Sequence, residues 1–363
     1  MKVLAIIVLL VLLAAGAVAG YFWYCIEKPF GTIPPEGTFV QIPHGTSRRA
    51  AARLLEKDGV IRSAIAFEIY ARRHPKRMPV AGEYFFDHPL SGKEVFWKLA
   101  NGEIYQQPFT VREGQSMFDI ARALEAAKIM MADYFLKAAS DPGLISDLAP
   151  QAASLEGFLF PATYGLSRHP AASDLTRMMV RKFRDAIKQI NPEVPAPGVP
   201  ARFHSLLSIV TVASLVERET PKPDERPVVA GVYDHRLKKG MLLQCDPTVI
   251  YALEQNDSYR GALTLKDLRF NSPYNTYMHA GLPPGPIGNP GEASLRAALN
   301  PEPTNFLYFV ANTQGGHFFA ATLAEHNKNV AKYHRLLNGE PADPPETHVS
   351  HKRAAGPAHK GKR

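Results

Sequence analysis

From Val3 to Cys25 every position is apolar, aromatic or small, a run about as long as a helix needs to cross a bilayer core. Tyr21, Phe22, Trp23 and Tyr24 gather at its far end, where amphipathic rings prefer the membrane interface. Ala17-Val18-Ala19 also fits a signal-peptide cleavage site, but the apolar run continues past it, which favours an uncleaved anchor. Lys2 ahead of the run gives a weak positive-inside bias that sends the rest of the chain out of the cytoplasm. Residues 27–37 are rich in Pro and Gly and read as a short stiff linker.

Beyond the linker the pattern becomes that of a folded protein. Residues 40–42 alternate as a strand does, Gly45 offers a turn, Ser47 stands where a helix N-cap belongs, and residues 48–57 continue amphipathically. The same order returns at residues 109–111, Gly114, Ser116 and 117–128, an internal repeat of strand–turn–helix units. Between the copies, residues 82–86 are strand-like and 92–101 helix-like. The stretch 107–195 is expected to be mostly helical with a break at Pro161, and the prolines of 191–200 mark a boundary or a hinge loop. Residues 204–217 have almost no polar face, which predicts a core helix, stopped by Pro221 and Pro223. Further helices are expected at 227–238, 246–253, 292–299 and 324–337, with a Pro/Gly/Asn loop over 271–290 and a hairpin over 307–321. The mixture is α+β.

Charge and cysteines narrow the partners. At 363 residues, two or three domains are expected. Lys and Arg outnumber Asp and Glu by 42 to 34. Part of the excess sits in residues 348–363, which lack apolar periodicity and read as a disordered basic tail, either simply solvated or lying on an anionic surface. No aromatic residues are interleaved with these bases, so nucleic acid is not an expected partner. The two cysteines, Cys25 and Cys245, are not expected to pair, so the exported part must be stabilised by its core. No Cys/His group has zinc-ligand spacing, and no metal is expected.

Glu217 is the sharpest chemical candidate. It follows a buried apolar helical run and lies in the last turn, so desolvation and the helix dipole are both expected to disfavour its anion, as a general acid requires. The alternative is an ion pair to an Arg or Lys at the helix end. Glu219 is expected to point away to solvent. Asp246 could cap the helix that follows it, with Pro247 at the first position. The loop carrying Tyr274, Asn275 and Tyr277 is stiff, polar and aromatic, a composition suited to carbohydrate. Leu155-Glu156-Gly157 through Tyr164 is a further cluster, whose plain reading is an apolar turn.

Several motifs together resemble one family. They are residues 155–164; Ala213-Ser214-Leu215-Val216-Glu217-Arg218-Glu219-Thr220; residues 237–251 with Gln244 and Asp246; residues 272–277 with 281–286; and residues 307–310 with 322–327. In order and content they are similar to the MltG (YceG-like) endolytic murein transglycosylases. The resemblance implies a lyase of the inner membrane, facing the periplasm, that cuts nascent peptidoglycan within the strand and leaves 1,6-anhydro-N-acetylmuramic acid ends. It implies Glu217 as the catalytic residue, no cofactor, and a LysM-like module ahead of the catalytic domain. The expected boundaries are an anchor at 1–25, a linker at 26–37, the module at 38–106, a mixed α+β catalytic domain at 107–338 and a tail at 339–363. Partnership with peptidoglycan synthases is a family-level expectation.

On this reading one carboxyl does all the proton work, and Gln244, Asp246, Tyr274, Asn275, Tyr277 and Glu156 are the candidates for holding sugar. No second carboxylate beside Glu217 is obvious, although Asp246 or Glu156 could come close in the fold. The chain departs from the usual family residue at Ala162, His235 and Cys245, and Cys245 is a possible oxidation liability. A non-catalytic peptidoglycan-binding scaffold is the alternative. A pyridoxal-phosphate lyase is disfavoured, because no Gly-rich phosphate loop is evident and the span exports the domain.

Overall fold

The computed structural model describes residues 2–190 and 205–339. The proline-rich stretch 191–200 and the basic tail 348–363 lie outside the described residues. The described residues fold as two compact units, one within 2–109 and 163–170 and the other within 110–162, 171–190 and 205–339.

In the first unit, helix α1 (Lys2–Glu27) carries the apolar run and keeps it exposed until its last turn, where Cys25 and Ile26 are buried. They pack against Ala66 of α3 (Ala64–Arg72), a helix that the apolar pattern did not single out. The stretch expected as a linker is held against its own unit: Phe30 donates its N–H to the Leu90 carbonyl at 3.1 Å. The Arg62 guanidinium also lies 4.3 Å from the Tyr24 ring centre and 4.5 Å from that of Phe30. Strand β1 (Thr38–Ile42) pairs antiparallel with β2 (Gly82–Phe86), Val40 opposite Tyr84. Between them run α2 (Arg48–Lys57), capped by Ser47, and α3, capped by Ser63. α4 (Gly92–Ala100) follows with a capping box from Ser91 and Glu94. Val40, Leu55, Phe67, Tyr84, Phe86 and Phe96 form the heart of this core.

Strand β3 (Gln107–Thr110) pairs with β4 (Thr163–Leu166), a strand that the expected helical stretch did not contain. Its short β-branched and aromatic run follows Pro161, where a helix cannot continue. The repeat is local structure as expected: Gly45 and Gly114 both take positive φ, and Ser116 caps α5 (Met117–Ala126) as Ser47 caps α2.

The second unit is built on α8 (Leu206–Glu219), whose central residues are all buried. On it pack α9 (Arg226–Lys238), α10 (Asp246–Glu254) and α11 (Glu292–Leu299), while α7 (Ala172–Ile190) packs on α11 and α6 (Ala132–Ala139) on α7. The hairpin of β5 (Tyr308–Ala311) and β6 (His317–Ala320) and helix α12 (Leu323–Leu337) close the order. Gly157 shows how tightly the core is drawn in. Its φ is +86°, and a Cβ there would stand 2.5 Å from Pro286 and 2.7 Å from Val210.

Candidate active site

Helix α8 ends in a short charged turn because Pro221 blocks its continuation. Glu217 in that turn has a side chain only 5% exposed. One carboxyl oxygen accepts from the Arg226 guanidinium at 2.9 Å, the other from the backbone N–H of Gly291 at 2.9 Å. The isolated carboxyl expected from helix end and burial is therefore not what the fold builds. The ion pair weighed as its alternative is present, completed by a main-chain donor.

Arg226, the first residue of α9, also lies 3.7 Å from Glu113, so one guanidinium serves two carboxylates. Burial, and then the Glu217 charge, hold the Glu113 carboxyl above its ordinary range against the opposing pull of Arg226. The turn carrying Glu113 is clamped to the end of the long loop. Gly114 N–H donates to the Asn289 carbonyl at 2.8 Å, and Asn289 N–H donates to the Gln115 carbonyl at 2.9 Å. A Cβ on Gly288 would come within 2.6 Å of the Gly114 carbonyl oxygen, so the close approach requires glycine.

Asn289 ties this wall to Glu156. Its amide donates to the Gln115 carbonyl at 2.8 Å and to Glu156 at 3.0 Å, while its own oxygen accepts from Leu159 N–H at 2.8 Å. Glu156 is 2% exposed, and both its oxygens accept from Met117 N–H, at 2.9 and 3.1 Å, at the start of α5. Burial pushes this carboxyl up to about 8, with the Met117 N–H pulling the other way. In this conformation both Glu156 oxygens are turned to internal donors and away from solvent.

Glu219 requires a correction: it does not face solvent. Tyr233 of α9 donates to its carboxylate at 3.1 Å and the Cys245 thiol approaches it at 3.5 Å. Burial raises the Glu219 carboxyl above its ordinary range, with His317 on β6 opposing. The helix face that would be open in isolation is covered by α9, the start of α10 and the hairpin. The same enclosure answers the concern over Cys245. The residue is 2% exposed and burial pushes its thiol up, which suppresses the thiolate that oxidises.

Asp246 is also placed differently from a cap. It is the first residue of α10, with Pro247 second, and makes no cap bond; instead it accepts from the Tyr277 hydroxyl at 2.5 Å. Burial, and then that bond, raise the Tyr277 phenol. Gln244 is exposed at a φ of +50°, its N–H bonded to the Thr276 carbonyl at 3.2 Å. The Tyr274 ring lies 5.0 Å from that of Tyr251, half-buried, with its phenol pushed up to about 12 by burial and then by the Glu156 charge. Asn275 is fully buried and pins the loop: its amide donates to the Leu268 and Phe270 carbonyls at 3.1 and 2.8 Å, and its oxygen accepts from Tyr277 N–H at 2.9 Å. Asn275→Ala removes all three bonds and strands buried polar groups, so it should destabilise the protein by about 2–3 kcal/mol. Thermal unfolding and protease cleavage within 268–277 read this out, and an unchanged melting point would show that the pin contributes nothing.

Gln244, Asp246 and Tyr277 thus gather on the Glu219 side of the α8 terminus, while Glu113, Arg226 and Gly291 surround Glu217. The sequence reading missed Glu113, Arg226, Asn289 and Gly291. Arg226 carried a signal, since it follows the helix end closely in the chain. Glu113 carried none beyond being an acid in a turn. Glu225, next to Arg226, pairs with His317 at 2.7 Å; burial raises its carboxyl, but the His317 and Thr220 bonds win and hold it below the usual range.

Comparison with known proteins gives this geometry its context. The family model described as "YceG-like family" matches residues 40–332. The endolytic murein transglycosylase of Bacillus subtilis is 34% identical over 310 residues, covering 81% of this chain and 84% of that protein. The endolytic murein transglycosylase of Streptococcus pneumoniae is 28% identical, and the match covers 91% of this chain but 65% of the streptococcal protein. The crystal structure of a yceG-like protein from Listeria monocytogenes aligns with a TM-score of 0.54 at 32% identity, over 81% of this chain and 99% of that one. The motif order, the α+β architecture and the family match over residues 40–332 agree: this chain belongs to the YceG-like family.

Proposed function

We propose that the protein is a membrane-anchored endolytic murein transglycosylase that cuts peptidoglycan glycan strands and leaves 1,6-anhydro ends. The observation that carries the reading is the Glu217 carboxyl, held between the Arg226 guanidinium and the Gly291 N–H in a wall closed by Glu113. The B. subtilis and S. pneumoniae relatives bear the same activity in their names.

In this mechanism Glu217 gives its proton to the glycosidic oxygen as the bond to the anomeric carbon breaks. The resulting carboxylate takes the proton of the muramyl 6-hydroxyl, whose oxygen attacks that carbon and closes the anhydro ring. Arg226 offers the residue two partners in the cycle. It bonds the Glu217 anion, and it can lean on Glu113 while Glu217 carries hydrogen. Gln244, Asp246, Tyr274 and Tyr277 are the proposed sugar contacts, Asn275 shapes their loop, and Glu156 supports the wall through Asn289.

α1 anchors the chain in the inner membrane with both units on the periplasmic side. The strand–turn–helix start of the first unit, closed by a second helix and a returning strand, supports reading it as LysM-like and glycan-binding. Peptidoglycan synthases are the proposed neighbours in the cell.

Glu113 gives a second reading a specific basis, because glycoside hydrolases use two carboxylates. Digestion of uncrosslinked strands by the full chain in detergent, followed by mass spectrometry of the ends, separates them. Ends lacking one water establish the transglycosylase. Reducing ends that vanish with Glu113→Gln would make the protein a hydrolase, and no cleavage would favour a glycan-binding scaffold.

A further inference from the structure

We propose that the basic loop following α3 is a phospholipid site: residues 72–77 bind the phosphates of anionic headgroups in the leaflet from which α1 emerges. The proposal rests on reading α1 as a membrane span.

A hydrocarbon core of ~30 Å is crossed by ~20 helical residues. A span that starts at Val3 therefore leaves the hydrocarbon near Phe22, among the aromatic group. The first unit itself fixes the loop at that depth. Ala66 of α3 is buried with Cys25 and Ile26, and both Tyr70, one turn on, and Phe22 pack against that cluster. Because Ile26 lies farther along the span than Phe22, and α3 meets Cys25 and Ile26 at Ala66 but reaches Phe22 only past its end, it runs back toward the bilayer as it proceeds. Just past its end the Arg73 guanidinium sits 5.3 Å from the Phe22 ring centre.

The segment delivered there is Arg72-Arg73-His74-Pro75-Lys76-Arg77, with all but His74 exposed. Arg48 of α2 joins it, donating to the Arg77 carbonyl at 3.1 Å. Glu68 pairs with Arg72 at 2.7 Å, which leaves Arg48, Arg73, Lys76 and Arg77 with no carboxylate partner among the described residues. Ile65 and Ile69 on the open side of α3, and Met78 after the loop, are exposed apolar side chains of the kind the interface accepts. Basic side chains at an anionic surface gain about fivefold in affinity each. A rigid cluster on the last turn of the span would set the height and tilt of the first unit above the bilayer.

The test uses the full chain in nanodiscs of phosphatidylcholine alone or of an equal mixture with phosphatidylglycerol. A fluorophore on Met78→Cys reports contact through quencher groups carried at the lipid headgroups. Cys25 and Cys245 are buried, and the labelled parent measures their background. The expected result is quenching about fivefold or more stronger with phosphatidylglycerol. That gain should disappear when Arg73→Gln, Lys76→Gln and Arg77→Gln are combined, and survive Arg73→Lys with Arg77→Lys, since phosphate accepts either cation. Melting curves of both variants check the fold. Equal quenching in the two lipids, quenching in neither, or a gain that survives the triple Gln variant overturns the proposal. A failed span shows itself earlier and overturns both readings: the chain does not enter the discs, or intact mass shows its amino-terminal residues removed.

Discussion

Glu217→Gln should lower the yield of anhydro-ended glycan by about 10²- to 10⁴-fold, the range that a positioned general acid supplies. The substitution removes the transferable proton while its amide oxygen can still accept from Gly291 N–H or Arg226. Stability should change little by comparison, since Arg226 keeps Glu113 within reach. Initial rates from anhydromuropeptide counts, set beside a melting curve, separate lost chemistry from lost fold. Glu219→Gln is the informative companion. Its carboxyl is enclosed and driven toward its protonated form by burial, so it is a physically plausible donor two residues away. If Glu219→Gln abolished cleavage while Glu217→Gln left it intact, the acid would have to be reassigned.

Glu156→Ala should cost about 3 kcal/mol of stability, because it strands Met117 N–H at the start of α5 and the Asn289 amide. Asn289 also fastens the turn behind Glu113, so activity should fall with stability in this variant. The pH dependence follows from the raised carboxyl at about 8. Between its unfolded value, about 4.3, and about 8 the folded protein holds a proton that the unfolded chain has released. The contribution of Glu156 to stability is thus fully present below the unfolded value and is lost as pH rises toward 8. Glu219 and Glu254, both raised chiefly by burial, act with the same sign. Denaturant unfolding of the full chain in detergent, from about pH 5 to about pH 9, should show stability falling with pH, by on the order of 4 kcal/mol from Glu156. Glu156→Gln, neutral throughout, should flatten that slope. A parent curve that rises over the same window would mean that Glu156 is ionised in the folded state.

The clamp at Asn289 and the pin at Asn275 suggest a common design for the long loop of residues 271–290. One end is stapled by a buried amide to the carbonyls of Leu268 and Phe270 just before it, the other by a buried amide to the turn before α5. Ser214 and Arg218 of α8 secure the same far end, accepting from Ile287 N–H and donating to its carbonyl at 3.0 Å each. A loop fastened in this way needs no regular structure to present Tyr274 and Tyr277 in fixed positions.

Local periodicity and punctuation were enough to determine most elements of this protein. The apolar helix α1, the two Ser-capped helices of the repeat, the core helix α8, α11 and the Gly315-Gly316 hairpin all follow from signals within one or two turns of chain. Glu217 was legible for the same reason, as a carboxylate ending an apolar helix. Strand β4 was not, because four residues become a strand only when β3 lies beside them. The surroundings of Glu217 were not legible either. Glu113, Arg226 and Gly291 come from three separate stretches of chain, and only packing around α8 brings them to one carboxyl. Tertiary contact likewise turned Glu219 from a solvent-facing residue into a half-buried partner of Tyr233 and Asp246 from a helix cap into the partner of Tyr277. A helix specifies which way its side chains leave its axis. Whether they meet water or another element is decided by what packs there.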